Sequence, residues 1–449
     1  MGSLAEEPLS FRETVVYNLA GFSLNIYETI LAAWVMFFYI PPEGSDRVRY
    51  IPMALMGLLL AGGRILDAVT DPLVGYLSDH TRSRWGRRRP YIFVSAPFLF
   101  ASFVLIWLPP VKETSILNAA FLAAVLFFYY WAYTGVLIPW FAFLPEMREA
   151  NEKRVRVATV GVAIGVAGAL VGGGLSGPLL EERGAFRMAL TLGALAFVAS
   201  ELTLFGIRER RQPPSAAPRS SVSLSGFLRL MKQMFADRQT LSFAVAILLV
   251  QLTYQLLLMN VPYFTALILG QDESAASMLM GKVILVIALS MPVWYWLLSR
   301  FPKRHVFRLT MLAMAAGFLL GFFVGRIPLL SLEAQTLLVF GFVAALVGGM
   351  LAVALGLIAD LADYDELRTG HRKEAMYCGL YGVVRKTGWA ACSLILVGVF
   401  RLFGFSAENP MGVRVVWLVC ALASLLGLIA FLPYKVGDSK AETRAILDL

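Results

Sequence analysis

Charge is what this sequence has least of. Only 15% of its 449 residues are Asp, Glu, Lys or Arg, against 58% hydrophobic, and mean hydropathy is +0.71. A soluble domain carries about 25% charged residues. This chain has too little polar surface to cover a water-soluble globule, so lipid is its expected solvent. Cysteine is scarce as well. Cys378, Cys392 and Cys420 lie in apolar runs with no CxxC or Cys/His spacing, which argues against a disulfide framework or a zinc site. The three histidines, His80, His305 and His371, all sit in polar loops. HExxH and GxSxG are missing too, so no Ser/His or Cys/His pair is expected at membrane depth and an enzyme is not expected. Met1 to Glu13 lacks the basic, apolar, small-residue order of a signal peptide, so the first apolar run is expected to remain as a helix.

What is present is apolar length. A spanning helix needs about 20 mostly apolar residues, and in lipid every backbone amide must bond within its own segment. Twelve spans are predicted: 15–40, 50–78, 91–110, 116–144, 157–180, 188–206, 241–268, 278–299, 306–325, 331–359, 375–402 and 413–433. The net charge of +9 would suggest nucleic acid on a soluble protein. Here the positives concentrate in the loops after even-numbered spans, so they set topology, and no nucleic-acid partner is expected. Both termini should be cytoplasmic. Residues 207–240, with Pro213, Pro214, Pro218 and a serine cluster at 220–225, read as a linker carrying a short amphipathic helix near Phe227–Phe235. They separate a bundle of six helices, 1–206, from a second, 241–433, with a tail at 434–449. Two six-helix bundles with the substrate between them at the midplane describe an all-α, major facilitator architecture. A multi-pass monomer in a bacterial inner membrane is expected, with no cofactor.

A few charges stand where lipid does not tolerate them. Each costs roughly 2.5–3.5 kcal/mol or more at membrane depth and is usually functional. Arg64, Asp67 and Asp71 follow an i, i+3, i+7 spacing, which puts all three on one face of the second span. That face must point into the bundle. Arg385 and Lys386 lie near mid-membrane in the eleventh span, Glu28 in the first and Glu201 in the sixth. Two carboxylates one turn apart suit a cation: they can ligate Na⁺, or one can hold a proton whose affinity the other raises. A buried lysine competes for the same pair, which makes a coupling device. The plainer alternative is a fixed salt bridge between the two spans. For Arg385, Glu28 and Glu201 the sequence leaves function open.

The stretch Asp67-Ala-Val-Thr-Asp71-Pro-Leu-Val-Gly-Tyr-Leu-Ser-Asp79, then Thr81-Arg-Ser-Arg-Trp-Gly-Arg-Arg-Arg-Pro90, resembles the glycoside–pentoside–hexuronide:cation symporter family of the major facilitator superfamily. So does Ala359-Asp-Leu-Ala-Asp-Tyr-Asp-Glu-Leu through Val384-Arg-Lys-Thr-Gly388. The resemblance implies that Asp67 and Asp71 bind the coupling cation, Na⁺ or H⁺. It also implies that Lys386 and Arg64 stand beside them and that Thr134 helps ligate sodium, with Thr70 replacing an asparagine. It brings Tyr133, Trp140 and Phe141 to the segment lining the substrate site. Asn25 stands where galactoside carriers of the family have a sugar-binding aspartate, Leu137 stands for a second, and Phe141 replaces a tryptophan that packs on the sugar. The cation half of the site is kept and the sugar half altered. A carboxylate accepts paired sugar hydroxyls, so an α-galactoside is not the expected substrate.

The expected function is therefore cation-coupled symport of a small polar solute, foremost a saccharide or glycoside. The alternative cargo is a lysophospholipid or other amphipath, since symporters of that kind share the acidic pair and the lysine, and Phe141, Tyr133 and Tyr27 would suit an apolar chain. A non-transporting sensor would need an added domain, and Tyr434–Leu449 is short. Asp79 and Arg87, Arg88 and Arg89 are expected to pair or to bridge helix ends and so lock the cytoplasmic side. Asp360, Asp363 and Asp365 with Arg368, Arg372 and Lys373 would form a matching lock. The seven glycines between Gly161 and Gly177 are expected to permit close helix packing.

Overall fold

A computed structural model describes residues 10–81, 83–143, 151–206, 232–328, 330–370 and 374–447. Most of the 207–240 linker, including its prolines and serines, and His371, Arg372 and Lys373 lie outside the described residues. The chain is all helical: α1 (Phe11–Tyr39), α2 (Met53–His80), α3 (Arg89–Ile106), α4 (Ile116–Phe143), a long stretch Asn151–Gly206, α7 (Arg238–Phe264) closed by a π turn at Thr265–Leu269, α8 (Glu273–Arg300), α9 (Lys303–Phe322), α10 (Leu332–Thr369), α11 (Glu374–Phe403), α12 (Met411–Phe431) and a short α13 (Lys440–Leu447). Eleven of these are long and apolar enough to cross a membrane among the described residues. Large apolar side chains on the outside, such as Phe98, Ile116, Phe205, Leu289 and Leu402, are more than half exposed, as lipid-facing residues must be.

The long stretch doubles back. Gly184 takes φ 78° and ψ 164°, non-helical values that cost glycine little. It divides the stretch into α5 (151–183) and α6 (185–206), and contacts with α1 give their directions. Asn18 near the start of α1 donates to the Val157 carbonyl, and Trp34 near its end donates to Ser176. On the return leg Tyr27 donates to the Gly193 carbonyl, and the Ser23 and Ser200 hydroxyls meet at 2.6 Å. α5 thus climbs α1 and α6 descends it. Glycine makes the α1–α5 approach possible: a Cβ on Gly168 would collide with the Phe22 carbonyl, and one on Gly172 would sit 3.0 Å from the Ile26 carbonyl.

Ties between α1–α6 and α7–α12 collect toward one end, that of the α1–α2 loop. Tyr263 donates to the Ile40 carbonyl at 2.6 Å, Phe405 accepts from the Glu43 amide, and Arg49 lies over the Phe405 ring. Arg47 pairs with Glu273, and Gly177 N–H donates to Ser277 at 2.6 Å. This end is closed. The α2–α3 loop and the end of α4 lie at the other, where Phe141 is 56% exposed. The tail is anchored at that end. Lys440 meets Glu366 at 2.8 Å, and Arg304 meets Glu442 at 3.1 Å.

Candidate functional site

The face predicted on α2 turns inward. Asp67 is almost wholly buried, with 1% of its side chain exposed, whereas Asp71, one turn nearer the open end, keeps 26%. Lys386 comes in from α11 and bridges them: its Nζ is 3.0 Å from Asp67 Oδ1 and 2.6 Å from Asp71 Oδ2, and it also donates to the Asp67 carbonyl at 3.1 Å. Thr134 on α4 donates to both acids, at 3.3 Å to Asp67 Oδ1 and 3.4 Å to Asp71 Oδ1. Thr70 meets the Thr134 hydroxyl at 3.0 Å and donates to the Asp67 carbonyl at 3.1 Å. Pro72 follows Asp71 inside the helix. Having no N–H, it frees the Ala68 carbonyl and loosens the turn that carries the acids.

These five side chains make one cluster of hard oxygens around an ammonium. Two carboxylate oxygens and two threonine hydroxyls are the donor set a sodium ion takes. The carboxylates equally suit a proton. The lysine occupies the place from which a cation would be held.

Arg64, one turn back from Asp67, pairs with a different acid. Both its terminal nitrogens donate to Glu28 on α1, Nη1 at 3.2 Å. Its guanidinium lies between the rings of Tyr130, 5.5 Å away, and Trp389, 4.8 Å away. Glu28, which sequence spacing gave no partner, is thus the third carboxylate of the centre, and the two residues meet across 36 positions of sequence. A cavity between the helix groups is lined by Arg64, Tyr130, Gln255, Trp389 and Ser393. Glu201 takes no part in these contacts.

The expected substrate residues divide. Tyr133 is buried at the centre, its ring stacked on Tyr129. Asn25 is half-buried and donates to the Gly21 carbonyl within its own helix at 2.7 Å. Trp140 ties α4 to α1 through its indole N–H, which donates to the Tyr17 carbonyl at 3.0 Å, and its ring lies tilted against the exposed Phe141. Tyr27 lies apart from these. It is fully buried, donates to Gly193 and packs on Phe103. Two residues on from Asn25, it lies about 200° round the helix, on the α3–α6 side, and does not reach the space between the groups.

The loop arginines hold helix ends together. Arg88 donates to Asp79 at 2.8 Å and also to the Ala142 carbonyl, and Arg89 donates to the Leu204 carbonyl at 3.0 Å. These bonds join α2, α3, α4 and α6 to one another, and they are made while this end is open, so they brace one helix group. Arg87 shares this loop. Of the matching lock, Arg372 and Lys373 lie outside the described residues. Asp360 pairs with Lys303 on α9 at 2.6 Å, and Arg368 pairs with Asp237, the N-cap of α7.

The model of the family described as MFS/sugar transport protein matches residues 16–435. An isoprimeverose transporter of Lactiplantibacillus pentosus is 25% identical, the match covering 97% of this chain and 91% of that one. Sodium-dependent lysophosphatidylcholine symporter 1 of Gallus gallus is also 25% identical, over 87% and 82%. Among solved structures, the nucleoside transporter NupG superposes with a TM-score of 0.69 at 13% identity, covering 95% of this chain and 99% of that one, a likeness of fold. These relatives are transporters, and the chain is a multi-pass integral membrane protein that belongs to the MFS/sugar transport family.

Proposed function

We propose that this protein is a secondary active symporter that couples a Na⁺ or H⁺ gradient to uptake of a small polar solute, foremost a saccharide or glycoside. It works as a monomer in a bacterial inner membrane, crossing twelve times with both termini cytoplasmic. Its bundles are 1–206 and 241–433, joined by the 207–240 linker and followed by the 434–449 tail. The observation that carries the reading is the Asp67–Lys386–Asp71 bridge between the helix groups. A cation entering between the acids displaces the ammonium. The released lysine and the altered α2–α11 contact then change what the space between the bundles offers a solute. Asp67, Asp71, Thr70 and Thr134 hold the cation, Lys386 and Arg64 couple it, and Asn25, Tyr133, Trp140 and Phe141 line the solute path.

Uptake of a sugar panel into proteoliposomes under imposed sodium or proton gradients tests this. One gradient should drive accumulation, and Asp67→Asn should abolish it while leaving down-gradient exchange. Equal accumulation with neither gradient refutes coupling. The second reading, symport of a lysophospholipid or similar amphipath, is favoured by the exposed Phe141 packed against Trp140 at the open end. Lysolipid uptake without sugar binding would select it.

A further inference from the structure

Three carboxylates and three cations stand between the helix groups. Glu28 holds Arg64, and Asp67 and Asp71 hold Lys386. Arg385 is left over: no carboxylate among the described residues pairs with it. Its guanidinium lies 4.7 Å from the centre of the Trp389 ring, which also contacts Arg64. Trp389 lines the cavity between the groups, so Arg385 lies beside that space. Arg385 Nε and Trp389 Nε1 are both buried and without a hydrogen-bond partner in the protein. Buried donors are nearly always satisfied, and these two stand side by side. Two other cations of these helices are matched by carboxylates, Lys303 by Asp360 and Arg368 by Asp237.

Charge balance points the same way. The six central charges cancel when no ion is bound. A monovalent coupling cation leaves one positive charge in excess, which membrane depth strongly disfavours. A solute with one negative charge restores neutrality. A planar guanidinium is the side chain best matched to a carboxylate or phosphate, which it grips through two parallel bonds.

We propose that Arg385, with the Trp389 indole N–H beside it, docks an anionic group, a carboxylate or a phosphate, on the transported solute, so that cation and solute cross as a neutral pair. The site rests on the symport reading above and narrows its substrate to anions.

The test is equilibrium binding to the purified full-length protein in saturating Na⁺ at neutral pH, which needs no gradient. Ligands are matched pairs differing in charge: methyl glucoside against methyl glucuronide, and monoacylglycerol against lysophosphatidate. The wild type should bind the anionic member of one pair at least about tenfold tighter, and the pair that responds separates a sugar acid from a lipid headgroup. Arg385→Gln should bring that ratio near one while the neutral member binds within about twofold of wild type, which also shows the variant is folded. Should Arg385→Gln fail to fold, Trp389→Phe carries the test, with the ratio expected to drop several-fold. An undiminished ratio in the folded variant, or a wild type that binds the neutral member of both pairs equally well, overturns the proposal. If the ratio behaves as expected but neither gradient drives accumulation, the symport reading fails and the anion site stands.

Discussion

Lys386→Met removes the ammonium from between the two acids and keeps an apolar stem of similar length. In the wild type Nζ makes two ion-pair contacts, at 3.0 and 2.6 Å, and one bond to a carbonyl, and Lys386 is 3% exposed. At an effective dielectric of about 20, one such pair is worth about 5 kcal/mol before desolvation is subtracted. Hydrogen bonds to charged groups retain about 1.5–3 kcal/mol net. A cation entering the wild type must overcome that competitor, and in the variant it does not. At 1.4 kcal/mol per tenfold, cation affinity should rise roughly 10- to 100-fold. Without a cation the variant holds two bare, buried carboxylates, and losing one partner of a buried pair costs about 3–5 kcal/mol. The measurement is thermal unfolding of purified protein across a Na⁺ titration and across pH. The variant should melt lower than wild type in sodium-free neutral buffer, recover with Na⁺ or with acid, and show a tighter midpoint for whichever ion couples. A variant as stable as wild type without any cation, or one with a weaker midpoint, would refute the competition argument.

Other expectations follow from single contacts. Tyr27→Phe should lower stability by about 1 kcal/mol through its lost bond to Gly193 and leave solute affinity unchanged in a binding assay; a large affinity loss would return Tyr27 to the solute path. Arg47→Gln breaks the pair with Glu273 at the closed end. A partly exposed pair is worth up to about 1 kcal/mol, so labelling from the outside of a cysteine introduced at Gln255 should rise by no more than about fivefold.

The acidic pair was legible in the sequence because its spacing alone fixes its face. Asp67 and Asp71 cannot be one turn apart on a helix and look in different directions. Lys386 lies more than 300 positions away, so only the family pattern could bring it to them. The Glu28–Arg64 pair left no such trace. It joins two helices, and a lone glutamate in an apolar run looks the same whether it meets a cation or water. The placement of Tyr27 was hidden for a related reason. α1 is enclosed on nearly every side, with Ile26, Tyr27, Ile30 and Trp34 all fully buried, so no polar stripe marks which side faces the solute. Element ends were missed where helices outrun the bilayer: α10 was expected to stop at 359 and runs to Thr369, its last turns polar. The loop arginines were expected to pair or to bridge helix ends, and their spacing gave no sign of which carbonyls they would reach.

The clasp of α5 and α6 around α1 decides where motion can occur. Serine, tyrosine and asparagine bolt the first helix to both legs along its whole length, and glycine lets the backbones touch, so these three rods shift only as one block. Any rocking must therefore slide along the seams where that block meets α7 and α8. A small molecule wedged into a seam would stall the pump from a distance, with its ion pocket left intact.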